Sequence, residues 1–203
     1  LLGDDPGIRS VGDGHVVSVY PIGSRAPHSV DFLVITQNRN TEAFYFGESD
    51  IEPTDWNGNP LERVSLAEAV ADLRRQGQSL VDKLVRSHRT LQAQRRSGRS
   101  GQSGDPRLSG NRSALPHQLQ QQIELLSEAY HRRETELVES WLQAAMVYPG
   151  DYNQGVFRVR LPDSGHTLIV LKIHPGAHLH EVAFELGRRG PVSGPIAKAA
   201  SRP

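Results

Sequence analysis

Residues 65–91, SLAEAVADLRRQGQSLVDKLVRSHRTL, decide the architecture. Ser65-Leu66-Ala67-Glu68 matches a capping box, in which a Ser hydroxyl and a Glu carboxylate three residues on satisfy the free amides of a first helical turn. From there Leu66, Val70, Leu73, Gly77, Leu80, Leu84, Ser87 and Leu91 recur at alternating spacings of four and three. That spacing predicts a long helix with a heptad seam, weak at Gly77 and Ser87. Residues 97–113, SGRSGQSGDPRLSGNRS, interrupt it with a Gly- and Ser-rich composition that stays solvated. A second amphipathic helix is predicted over 115–147, with Leu119, Ile123, Leu126, Tyr130, Leu137, Trp141 and Ala144 on one face. Tyr148-Pro149-Gly150 supplies its stop. Two helices of similar length joined by one loop pack simplest as an antiparallel hairpin.

The segments flanking the hairpin have strand character. Residues 15–22 (HVVSVYPI), 30–37 (VDFLVITQ) and 41–47 (TEAFYFG) precede it, and 156–161 (VFRVRL), 167–174 (TLIVLKIH) and 179–186 (LHEVAFEL) follow. All are short, rich in β-branched and aromatic residues, and bounded by Gly, Pro, Ser and Asn. Asn38-Arg39-Asn40 reads as a tight hairpin connection between the second and third strands. The two prolines in 48–60 (ESDIEPTDWNGNP) make that segment a loop. The expected class is α+β: one β-rich body of about six short antiparallel strands from both chain ends, with a long antiparallel helical hairpin inserted. The boundaries are 1–60 and 148–186 for the body, 61–147 for the hairpin with a flexible basic loop at 95–113, and 187–203 for a loose tail. Arg158 and Arg160 alternate with apolar residues and are read as a solvated sheet face. Trp141 is read as core, Trp56 as a plug over the sheet or an exposed contact.

Charge is segregated along the chain although the net charge is zero. Lys83, Arg86, Arg89, Arg95, Arg96, Arg99, Arg107 and Arg112 face only one acid, Asp105, in their stretch, whereas the first sixty residues hold nine acids and three Arg. A basic stretch of this kind attracts a nucleic-acid backbone or an acidic protein surface. No Phe, Tyr or Trp is interleaved with its cations, so base stacking is not expected and binding would be backbone-directed. The hydrophobic content of 36% is low for a compact enzyme and implies exposed helix or loop. The absence of cysteine excludes disulfides, thiolate metal sites and Cys nucleophiles. Apolar runs such as Leu168 to Leu171 are far too short for a bilayer, so the chain is read as soluble and cytoplasmic. Neither a phosphate-binding loop nor a Gly-x-Ser-x-Gly elbow occurs. The expected function is non-enzymatic: binding or assembly with a protein partner, a nucleic-acid backbone or another copy, through Lys83, Arg86, Arg89, Arg95, Arg96 and Arg99 on the hairpin and its loop, with no cofactor.

Two other stretches carry chemistry. His174-Pro-Gly-Ala-His178-Leu-His180-Glu181, with Glu185 beyond and His166 before, gathers imidazoles and carboxylates that suit a divalent transition metal. On one strand His178 and His180 would share a face about 7 Å apart. The stretch resembles the first motif of the cupin family, where a Pro-Gly turn precedes a His-x-His pair and a Glu follows. That resemblance implies a small metal-dependent β-barrel with His178, His180 and Glu185 as ligands; apart from it, the Pro-Gly turn could swing His174 toward the pair. Separately, Gly23-Ser24 followed by Ser29-Val30-Asp31 is similar to the Gly-Ser and Asp-x-Asp region of nucleotidyltransferases. Asp31 stands at the second acid and Ser29 in place of the first, which implies an inactive relative of that family.

Overall fold

The computed structural model describes residues 7–12, 14–23, 28–97, 117–162, 167–187 and 190–191. In chain order the elements are β1 (Ile8–Gly12), β2 (His15–Gly23), β3 (Ser29–Asn38), β4 (Phe44–Phe46), a 3-10 turn (Glu48–Asp50), β5 (Ile51–Asp55) and β6 (Arg63–Val64). There follow α1 (Leu66–Ser97), α2 (His117–Ser140), β7 (Ala145–Val147), β8 (Tyr152–Arg160), β9 (Thr167–Ile173), β10 (His180–Gly187) and β11 (Gly190–Pro191). The protein is α+β, with antiparallel sheets and two helices as a hairpin-like insertion. It divides into two compact units, one built from Leu1–Leu66 and Ser140–Pro203, the other from Ala67–Glu139.

The first unit holds three sheets, ordered β1-β2-β3-β8-β6, β11-β10-β9-β5 and β4-β7. Strand alternation explains its core: Val17 and Val19 of β2, Phe32 and Val34 of β3, Phe157 and Val159 of β8, Ile169, Leu171 and Ile173 of β9, and Val182 and Phe184 of β10 are all buried in one cluster. Burying each such side chain contributes about 1.5–3 kcal/mol. Phe46 and Val147 join the same cluster from the two-stranded sheet.

Four sequence-based boundaries change. Residues 51–55, expected as loop, form β5, whose Ile51 and Pro53 lie opposite Ile173 and Leu171 of β9. Proline is tolerated because β5 is the sheet edge, and the Pro53 carbonyl accepts a 2.8 Å hydrogen bond from the Leu61 amide. Asn38-Arg39-Asn40 does not close a hairpin, since β3 pairs with β2 and β8 while β4 pairs with β7. Instead the buried Asn38 side chain donates to the carbonyls of Glu42 and Val147 and accepts from the Asn40 amide, tying the loop after β3 to β7. α2 ends at Ser140, not near 147, because Trp141 and Leu142 leave the helix to dock on β8. Leu142 donates to the Val156 carbonyl at 2.9 Å, and a Cβ on Gly155 would stand 2.3 Å from the Leu142 Cα. Apolar spacing at Trp141 thus belongs to the packing of the β unit and mimics a helix face, while Ala144 is exposed. Finally, α1 runs to Ser97 and carries Arg95 and Arg96 on its backbone, which removes them from the expected loop. The rest of that loop, 98–113, lies outside the described residues, as do 188–189 and 192–203 of the expected tail, whose Gly187 instead ends β10 and whose Gly190–Pro191 form β11 against it.

Candidate functional site

Within the second unit the helices run antiparallel. Arg74 Nε and Nη2 donate to Glu134 Oε2 and Oε1 at 3.1 and 2.5 Å, and Gly77 sits against the Tyr130 ring. A Cβ at Gly77 would come within 3.0 Å of that ring, so the residue that weakens the heptad seam makes room for the aromatic across from it. The Arg74 guanidinium, by hydrogen bond and charge, holds the Glu134 carboxyl below its usual range, and Glu134 raises Arg74 in return.

Two helices cannot enclose their apolar seam. Leu119 is buried, but Leu80, Leu91 and Leu125 remain 41%, 58% and 61% exposed. Leu73, Gly77, Val81, Leu126 and Tyr130 line one groove of about 280 Å³, bordered by Arg74 and Glu134. Leu80, Lys83, Leu84, Ser87, Gln122 and Leu126 line a second of about 560 Å³. Lys83, Arg86 and Arg89 are exposed along the last half of α1. From Lys83 to Ser97 α1 carries five cations and no acid. The side chains of Arg95 and Arg96, and Arg99 altogether, lie outside the described residues. Absent from the sequence-based set were Val81 and Leu125, which sit beside the seam and show themselves only when both helices are paired.

The histidine stretch does not lie along one strand. β10 begins at His180, so His178 precedes the strand and does not share its face. His178 packs its ring 4.8 Å from the ring of His15 on β2. His180 is buried, with Nδ1 2.9 Å from Ser10 Oγ. His174 Nε2 stands 4.0 Å from Glu52 Oε2. Glu185 is exposed, five residues along β10 from His180 and therefore on the opposite face, about 17 Å away. Among the described residues no three His, Asp or Glu side chains converge on a common point. His166 lies outside the described residues. His15 was not in the sequence-based set; its only signal was a position after a Gly-x-Gly turn.

Asp31 is committed elsewhere. Arg158 Nε and Nη2 donate to Asp31 Oδ1 and Oδ2 at 2.5 and 2.9 Å, both side chains buried, in a directly opposed cross-strand pair of β3 and β8. Arg158 also lies over the Trp141 ring, 5.9 Å from its centroid, and Trp141 Nε1 donates to Glu48 at 3.1 Å. This corrects the reading of Arg158 as part of a solvated face. Arg160, two residues on, is exposed and bonds Glu62. Residues 24–27 of the Gly-Ser stretch lie outside the described residues. Trp56 is exposed, in the turn after β5. No helix among the described residues is long and apolar enough to cross a membrane.

Comparison with protein-family models, with curated proteins and with solved structures gives no match to this chain.

Proposed function

We propose that this protein is a non-enzymatic binding or assembly protein that contacts an acidic partner surface, of protein or nucleic-acid backbone, through its helical hairpin. The observation that carries this reading is the hairpin itself: a half-exposed apolar seam beside a helix half with five cations and no acid. Exposed apolar area next to like charge is a docking surface in both its parts, one giving affinity and the other orientation and rate. The reading asks for no cofactor. Its alternative is a metal on His174, His178, His180 and Glu185.

The test is a titration of the full chain and of a Lys83→Gln, Arg86→Gln, Arg89→Gln variant against labelled single- and double-stranded oligonucleotides and an acidic polypeptide, at low and moderate salt. Binding that steepens as salt falls, and a salt slope in the variant reduced by up to about three phosphate contacts, is the expected result. Equal binding by wild type and variant to every acidic probe removes the basic helix half from the function.

A further inference from the structure

We infer that the partner seated on the hairpin is a second copy of this chain, packed antiparallel to form a four-helix bundle. This rests on the proposed binding role and names its occupant. Charge decides the occupant and its direction. At the far end of the hairpin, Lys83 to Ser97 of α1 holds five cations, and the part of α2 beside it, His117 to Glu124, adds a single acid, Glu124. At the near end, Leu66 to Asp82 of α1 and Leu125 to Ser140 of α2 hold seven acids against four Arg. Two of those Arg are already engaged within the pair, Arg74 with Glu134 and Arg75 with Asp72, and Arg133 lies over the Tyr130 ring. Glu128, Glu136 and Glu139 are exposed. The hairpin is thus a rod that is basic at one end and acidic at the other. Two such rods side by side attract when antiparallel and repel when parallel.

The apolar surface lies where a two-fold axis between antiparallel copies must pass. Leu80 and Leu125 sit near the middle of the rod, and the groove lined by Leu80, Leu84 and Leu126 is centred there. Around α2, Glu136 and Glu139 fall within one side with Leu125, at three and four helical turns. A two-fold contact buries the same patch on both copies, so the mid-rod leucines meet their own counterparts while each basic end meets an acidic one. Four helices enclose a seam that two leave half open.

The experiment uses charge-reversed full-length chains. One carries Lys83→Glu, Arg86→Glu and Arg89→Glu; the other carries Glu128→Lys, Glu136→Lys and Glu139→Lys. Sedimentation equilibrium of wild type should give a dimer, and each variant alone should associate about a hundredfold more weakly or worse, because like charges then face one another. An equimolar mixture of the two should regain the dimer mass, since each reversed end now meets an opposite one; this recovery also shows that both variants are folded. The chain has no cysteine, so a spin label at Thr90→Cys is unique. With the axis near Leu80, the two labels should stand about 30 Å apart along the bundle, against about 10 Å for a parallel pair. A wild type that is monomeric at about 100 micromolar, a mixture that stays monomeric, or a short label distance overturns the inference. A monomer that still binds acidic probes through Lys83, Arg86 and Arg89 overturns it while leaving the binding role intact.

Discussion

Asp31→Ala leaves the Arg158 guanidinium buried among Trp141 and the strands with no counter-charge. Two charge-assisted hydrogen bonds are lost, each worth about 1.5–3 kcal/mol, and breaking one side of a buried ion pair costs about 3–5 kcal/mol in all. With an m-value of about 2 kcal/mol per molar urea, the unfolding midpoint of the β unit falls by about 2 M. The companion Asp31→Leu with Arg158→Met removes both charges at similar volume and should lie within about 2 kcal/mol of wild type. The assay is urea unfolding followed by Trp141 fluorescence in a Trp56→Phe background, since the chain has only these two tryptophans and Trp56 is exposed. Coupling between the two sites, read from the double-mutant cycle, measures the pair itself. A midpoint shift under about 0.5 M for Asp31→Ala, or a double variant no better than the single, would refute the structural assignment of Asp31.

Gly155→Ala forces a Cβ to within 2.3 Å of the Leu142 backbone and should cost about 3 kcal/mol or more by thermal melting, whereas Gly150→Ala, in open space at φ +87°, costs only about 1 kcal/mol of backbone strain. Glu134, held low by Arg74, lends the hairpin stability that is present above about pH 4.5 and is lost as pH falls through its lowered value; Arg74→Gln should flatten that part of a pH titration of helicity followed by circular dichroism. Elemental analysis of protein purified without chelator should find zinc, iron, manganese and nickel each well below one per chain, and a chelator should leave the melting curve in place; one stoichiometric metal that His178→Ala and His180→Ala remove would favour the metal reading instead.

The helical insertion was legible because its signals are local. Ser65 marks the start of α1 to the residue, and a seam at fours and threes needs no tertiary partner to be recognised. The strands with β-branched runs, β2, β3, β8, β9 and β10, were equally plain. What stayed hidden was decided by distant partners. β5 contains a proline that reads as loop until β9 pairs one edge of it. β7 lies in a stretch whose apolar spacing continues that of α2. Arg158 looks like any alternating strand cation, and only Asp31, 127 positions away, makes it core. The histidines looked like a cluster because they are near in sequence, but the Pro175-Gly176 turn and the late start of β10 send them to different neighbours.

Val64 pairs with Arg158 and Trp141 bridges Val156, so the chain leaves the β unit and returns to it on one strand, at positions two residues apart. The two attachment points are about 7 Å from each other along β8. A connection of a few residues spans that gap, and no core strand is interrupted by removing everything between. The seventy-odd intervening residues are therefore an insertion that forms a compact unit of its own. Their length and surface are free to change by insertion, deletion or exchange without any demand on the strand order of the three sheets.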